Sequence, residues 1–269
     1  MREIDIEHIK RIELEILNEF HGFCEKHGLT YYLAFGTLLG AVRHKGFIPW
    51  DDDVDVLMPR SDFERFMNLY SGSNRYGLIY YPKNKNSWLS WGKMYDQRTS
   101  VIEKDTIGVN NCGVYIDIFP LDYLSDTYDD SLKIYKINKK RFTLIYSKIF
   151  PVKIKNLKSF LLFMARPFIS WRFYLGKIRK EGIKRQKRRE YSCITAPVYG
   201  EKMIVESVFF DKKVKMKFEN NEYWVPSGYD AFLKRIYGNY LSLPPLEEQV
   251  PHHNLLAYWK NDCEANDAL

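Results

Sequence analysis

Phe35 to Met58 reads FGTLLGAVRHKGFIPWDDDVDVLM, and the fold turns on how its acidic end is read. Asp51, Asp52, Asp53 and Asp55 fall within five residues. Carboxylates that close repel one another, so each costs stability unless solvent, a basic side chain or a metal ion screens it. From Asp53 to Met58 polar and apolar residues alternate, which predicts a strand with Asp53 and Asp55 on one face and Val54 and Val56 on the other. The two carboxylates then point the same way.

Upstream, Ile6, Ile9, Ile12, Leu14, Ile16, Leu17, Phe20 and Phe23 mostly recur every three or four positions, predicting an amphipathic helix from Ile4 to Lys26 that ends before Gly28. Tyr31 to Phe35 reads as a short strand running into Gly36-Thr37. Downstream, Ser61-Asp62-Phe63-Glu64 matches a capping box and predicts a helix to about Tyr70. Leu78 to Tyr81, Trp88 to Tyr95, Ser100 to Glu103 and Gly113 to Phe119 read as strands. From Ser131 the pattern turns helical. KVKMKF and EYWVP then read as strands, Tyr229 to Tyr237 as a helix, and YGNYLSLPP and VPHHNLLAYW as turn-rich. The class is α+β, divided into a core over 1–130, a basic aromatic-rich helical segment over 131–205 and a C-terminal region over 206–269 that completes the domain.

The 269 residues are 45% apolar, enough for a sizeable core, and the net charge of +7 suggests an anionic partner. From Lys148 to Arg189 fourteen Lys or Arg face one acid, Glu181; that +13, set against the total of +7, leaves −6 elsewhere. Cys24, Cys112, Cys193 and Cys263 are scattered, as free thiols in a reducing compartment would be. Without a signal-peptide core or a run of 18 apolar residues, a cytoplasmic protein is expected.

Four readings compete for the acidic cluster. A solvated loop gives no reason for alternation with Val54, Val56 and Met58. A calcium loop needs Gly and Glu where Val56 and Asp62 stand. A DxD that holds a metal on a sugar-nucleotide pyrophosphate is a short pattern met often by chance. The order of a strand, Gly36-Thr37, a helical turn and a strand with Asp53 and Asp55 resembles nucleotidyltransferase-fold enzymes. In those, glycine admits a phosphate close to the backbone, threonine adds donors, and two acids hold Mg²⁺. YIDIFPLD supplies a third acid, Asp117, on a strand whose Ile116 and Ile118 face the other way.

FGTLLGAVRHKGFIPWDDDVDVLMPRSDFERF, WGKMYDQRTSVIE, GVYIDIFPLDYL, VPSGYDAFLKRIYGNYLSLPP and PHHN together resemble, in order, the blocks of the LicD family, the phosphocholine transferases of bacterial surface glycans, related to fukutin. EEQVPHH departs from the family pattern, which carries a basic residue shortly before the histidines. The resemblance implies a nucleotidyltransferase-like mixed β-sheet core flanked by helices. It implies transfer of phosphocholine from CDP-choline to a sugar hydroxyl of teichoic acid, lipopolysaccharide or capsule, releasing CMP, with glycerol phosphate or ribitol phosphate as alternative cargo. It also implies Mg²⁺, or Mn²⁺ in its place, on Asp53, Asp55 and Asp117. Asp117 is a third ligand or the base, and Asp51 a base or a residue behind the ligands. Asp52 is expected in a structural salt bridge. Gly36, Thr37, Arg43, His44 and Lys93 are the residues expected on the donor; Lys93 and Arg98, flanking Asp96, otherwise read as solvated strand-edge charges. Trp88, Trp91 and Trp224 are cage candidates for choline, and His252 and His253 either meet the acceptor or form a surface turn.

Basic and aromatic residues interleaved over 148–189 suit contact with an anionic membrane, against a solvated helical subdomain as the alternative. An RNA-directed or small-molecule nucleotidyltransferase is the reading from another class.

Overall fold

The computed structural model describes residues 2–103, 112–150, 154–196, 199–250 and 255–260. After β1 (Glu3–Ile4), Asp5 accepts the His8 amide at 2.9 Å and starts α1 (Ile6–His27), which Gly28 closes at φ 59°. β2 (Tyr32–Leu33) leads at once into α2 (Phe35–Arg43), so Gly36 and Thr37 lie in the first helical turn, beyond the strand rather than at its end. β3 (Asp55–Pro59) then runs into α3 (Arg60–Leu69), and β4 (Tyr76–Ile79), β5 (Gly92–Asp96) and β6 (Thr99–Glu103) follow. β7 (Tyr115–Tyr123) precedes α4 (Tyr128–Ile149), α5 (Leu157–Ala165) and α6 (Trp171–Lys184). The chain finishes with β8 (Tyr191–Ile194), β9 (Ile204–Glu206), β10 (Lys213–Phe218), β11 (Asn221–Pro226), α7 (Tyr229–Tyr237) and β12 (Leu255–Trp259).

β7 is the hub of a mixed sheet in the order β2-β3-β7-β5-β4. On one edge it pairs parallel with β3, Asp55 opposite Asp117. Its other edge pairs antiparallel with β5 along its first half and with β8 along its second, and β9 extends β8. β1, β12 and β6 form a second sheet and β10–β11 a hairpin. The architecture is α+β, compatible with a nucleotidyltransferase-like mixed fold. The main core fills the space between the central sheet and α1, α2, α3 and α7, while Trp88, Leu89, Phe142, Ile145, Leu175 and Ile178 form a smaller one.

Several local expectations yield to long-range contacts. α3 begins at Arg60 with Pro59 before it and no side-chain cap, so the capping box does not form. Arg60 is buried in a two-pronged pair with Asp122 at 2.7 and 2.8 Å, and Glu64 turns to Arg60 and Arg179 instead of the helix end. Asp53 and Val54 lie just before β3, and the expected Trp88–Tyr95 strand starts only at Gly92. The helical span after Ser131 contains β8 and β9, and the turn-rich tail contains β12. Both are completed by partners remote in sequence, which periodicity does not register. His252, His253 and Cys263 lie outside the described residues. Cys24 and Cys193 are buried free thiols.

Arg60 and Asp122 are buried together, so removing one partner strands the other charge. Arg60→Ala should lower unfolding free energy by about 3–5 kcal/mol in urea titration. Adding Asp122→Ala should recover part of that loss; no recovery would show that the pair is uncoupled.

Candidate active site

Asp55 opens β3 and is buried, and its position is fixed through the backbone. Its amide donates to the Thr37 hydroxyl at 2.8 Å and its carbonyl accepts the Ala34 amide at 3.0 Å. Thr37, expected on the donor, thus ties the head of β3 to α2. Across the strand pair stands Asp117, whose carboxylate accepts the Trp91 indole N–H at 2.8 Å and lies 3.6 Å from the Lys93 ammonium. Lys93 is buried on β5 against the Tyr115 ring, not solvated. Asp96 is likewise buried, between Arg75 and Arg98, so the strand-edge reading of this trio fails.

Asp51, Asp52 and Asp53 each offer a carboxylate oxygen within 4.8 Å of the others. Asp51 and Asp52 are buried. A Cβ on Gly36 would lie 2.5 Å from the Asp51 carboxylate oxygen, so glycine there lets the carboxylate rest on the first turn of α2. The macrodipole of that helix favours negative charge at this end. Phe35, the first residue of α2 and the one before Gly36, has φ 44°, a left-handed conformation that costs an L-residue about 1–2 kcal/mol.

A further carboxylate comes from α1. Glu13 is 2% exposed, and its Oε2 has no hydrogen-bond partner among the described residues. One turn earlier Lys10 donates to the Pro49 carbonyl at 2.9 Å, holding α1 against the chain that leads into the aspartates. Burial, with the charges of Asp53, Asp52 and Asp51, pushes the Glu13 carboxyl well above its ordinary range, and Lys10 opposes this. Burial, then Asp53, Asp117 and Asp51, does the same to Asp55 against the pull of Lys93. Such a set gains most from a cation with hard oxygen preference.

Two of the expected donor-binding residues are held elsewhere. Arg43 donates to the carbonyls of Tyr240 and Ser242 at 3.0 and 3.2 Å and to His44 Nε2 at 2.9 Å. Burial and the Arg43 charge keep the His44 imidazole below its usual pKa, as fits a ring that accepts from Arg43. Arg43 still lies close enough to Asp51 to feel its charge.

Aromatic rings line the acidic edge. Trp91 packs on Phe119, Phe119 on Phe35, and Phe35 on Tyr199, with centroids 5.4, 5.6 and 5.2 Å apart. Tyr199 and Tyr237 share a hydrogen bond of 3.0 Å. Burial raises both phenols, Tyr199 to about 12, and the charges of Asp55 and Asp51 add to the shift. Trp88 packs instead with Tyr146 and Phe150 in the smaller core. Trp224 is also apart from the acids: it lies on β11, bonded to Glu25 and covered by Lys213.

Glu13, Tyr199 and Tyr237 are absent from the sequence reading. Glu13 did leave a signal, a charged residue between Ile9, Ile12, Ile16 and Leu17 on the buried stripe of α1. The tyrosines left none, since only the tertiary fold brings them to β3.

Glu13 and Asp55 hold their protons more tightly folded than unfolded, so their contribution to stability is full below the ordinary carboxyl range and falls as pH rises toward the raised values. Despite its burial, Asp96 is held low by Arg98 and Arg75 and acts in the opposite sense only at more acidic pH. His44 and His21, held below the ordinary imidazole value, oppose this up to about pH 6.5, so thermal denaturation in chelator should give a Tm that falls between about pH 6.5 and pH 8. Glu13→Gln or Asp55→Asn should flatten that fall, and a Tm rising across the window would contradict the account.

Residues 28–164 match the family model described as LicD/FKTN/FKRP, nucleotidyltransferase domain. The chain is 29% identical over 276 residues to the lipopolysaccharide cholinephosphotransferase LicD of Haemophilus influenzae (strain ATCC 51907 / DSM 11121 / KW20 / Rd), covering 96% of this chain and 99% of that one. Shorter matches join it to uncharacterised proteins of Rickettsia typhi, 38% identical over 20% of this chain and 18% of that one, and Rickettsia prowazekii, 42% over 18% of each. The Asp51–Asp55 cluster and Asp117 lie inside the matched domain, and the chain belongs to the LicD/FKTN/FKRP family.

Proposed function

We propose that this protein transfers phosphocholine from CDP-choline to a sugar hydroxyl of a bacterial cell-surface glycan, releasing CMP, with Mg²⁺ held by its carboxylates. The observation that carries the reading is the cluster of Asp51, Asp52 and Asp53, within 4.8 Å of one another, just ahead of the strand pair that sets Asp55 opposite Asp117, with Glu13 buried behind them and an aromatic row beside them. The activity named for the Haemophilus influenzae relative supports it, and that name makes lipopolysaccharide the acceptor preferred over teichoic acid or capsule.

The donor set fits a hard divalent cation. Its ligands are all carboxylate oxygens, and Glu13 Oε2 is an orphaned buried acceptor next to them. Asp53, which lies within 4.8 Å of Asp51 and Asp52, would hold Mg²⁺, or Mn²⁺ in its place, together with Asp55 and Asp117 from the adjoining strand pair. When bound, the ion neutralises charge on the donor pyrophosphate during in-line displacement.

The protein's own groups account for the remaining work. Thr37 anchors the Asp55 backbone and the β3–β7 register sets Asp55 opposite Asp117, a placement made by the fold before any donor binds. Lys93 adds a buried positive charge 3.6 Å from the Asp117 carboxylate. Asp51, resting on the first turn of α2, is the carboxylate assigned to take the proton of the acceptor hydroxyl; Asp117, bound by Trp91, is the alternative. Trp91, Tyr199 and Tyr237 present the rings a trimethylammonium group prefers, each such contact contributing about 0.5–2 kcal/mol. Glycerol phosphate or ribitol phosphate would call on hydroxyl partners instead, such as the Tyr199–Tyr237 pair, so Trp91 is the ring that favours choline. A cytoplasmic reaction is part of this reading. Among the described residues no helix is long and apolar enough to cross a membrane.

Incubation with CDP-choline and Mg²⁺ should release CMP, and chelation should stop it. Asp53→Asn and Asp55→Asn should each lower the rate on the order of 10²–10³-fold or more with the fold intact by circular dichroism. Turnover of nucleoside triphosphates without cleavage of CDP-choline would instead support a nucleotidyltransferase. Replacing the ring in Trp91→Leu should raise KM for CDP-choline about tenfold relative to CDP-glycerol. Equal changes for the two donors would remove Trp91 from the cargo site.

A further inference from the structure

α5 exposes the face that a surface helix ordinarily buries. Leu157, Phe160, Leu161 and Met164 follow the i, i+3, i+4, i+7 spacing of an apolar stripe, yet no residue of this helix is buried. Leu157 is 71% exposed, and Phe168, in the turn that follows, 89%. Only Ser159 and Leu162 on α5 are half-buried. The turn is clipped to the end of α4 by reciprocal bonds, Lys148 to the Arg166 carbonyl at 3.1 Å and Arg166 to the Lys148 carbonyl at 3.2 Å. The stripe is therefore held outward by a fixed attachment.

The surrounding charge is of one sign. No Asp or Glu occurs from Ser131 to Lys180, which holds fourteen Lys and Arg. Lys155 and Lys158, on either side of the first turn of α5, are exposed and have no carboxylate partner among the described residues. The arginines farther along are already engaged, Arg185 with Glu181, Arg188 with Asp211 and Arg189 with Asp126. They are not the free cations of the basic segment.

We propose that α5 and the Arg166–Phe168 turn dock this protein on an anionic bilayer, the apolar stripe entering the headgroup boundary and Lys155 and Lys158 meeting lipid phosphates. A second copy of the chain is a poorer occupant. Pairing through this face would bring like charges together, and nine helical residues, about 14 Å long, fall far short of the roughly 800 Å² each partner buries in a stable dimer. The inference rests on this surface alone and stands or falls apart from the transfer reaction.

Co-sedimentation of the full chain with vesicles, in the absence of donor and acceptor, tests it. The protein should pellet with phosphatidylcholine vesicles containing phosphatidylglycerol and much less with phosphatidylcholine alone. Phe160→Ser with Phe168→Ser, and separately Lys155→Glu with Lys158→Glu, should each lower partitioning onto the anionic vesicles about tenfold or more. All four positions are exposed, so melting curves should match the parent protein. A parent protein that stays in the supernatant with both vesicles, or variants that pellet as it does, would overturn the proposal. So would a parent dimer that the phenylalanine variants convert to monomer.

Discussion

The parallel pairing of β3 with β7 sets Asp55 directly opposite Asp117, and much of the surrounding structure answers to that juxtaposition. Two carboxylates on adjacent strands, one of them buried, repel in a medium that screens them poorly. The fold meets this with Lys93 on the next strand and the Trp91 indole on Asp117, while the Thr37 hydroxyl, accepting from the Asp55 amide, only fixes the backbone there. It then adds to the strain by bringing in Asp51, Asp52, Asp53 and Glu13. A protein built only for stability would not gather six acids around one strand pair. Under the proposed function, a bound divalent cation would relieve that repulsion.

The same geometry couples distant parts of the chain. α1 brings Glu13 from the N-terminal end, α2 brings Thr37 and Gly36, β5 brings Lys93, and the segments around Tyr199 and Tyr237 bring the last rings of the aromatic row. The family match over 28–164 includes neither Glu13 nor the two tyrosines. The acids, apart from Glu13, thus lie within the matched domain, whereas Tyr199 and Tyr237 of the aromatic row come from later sequence.

Much of this was legible before folding was considered. Alternation in DVDVLM and YIDIFPLD placed Asp55 and Asp117 on strands, because period-two patterning is local and a buried sheet enforces it. The span Tyr229–Tyr237 was readable for the matching helical reason. What was not legible depended on remote partners. The Ser61–Glu64 capping pattern lost to the buried Arg60–Asp122 pair, and β12 exists only because β6 and β1 flank it. Lys93, Asp96 and Arg98 looked like solvated charges since nothing nearby in sequence announces that β5 is an interior strand.

The most direct test of a cation-binding carboxylate centre is anomalous diffraction from crystals of the protein soaked with Mn²⁺ and CDP-choline. The account predicts a peak within coordination distance of Asp55 and at least two of Asp51, Asp53 and Asp117, with the donor pyrophosphate against it. A bound donor with no metal peak at these carboxylates, or a peak held by other residues, would contradict it.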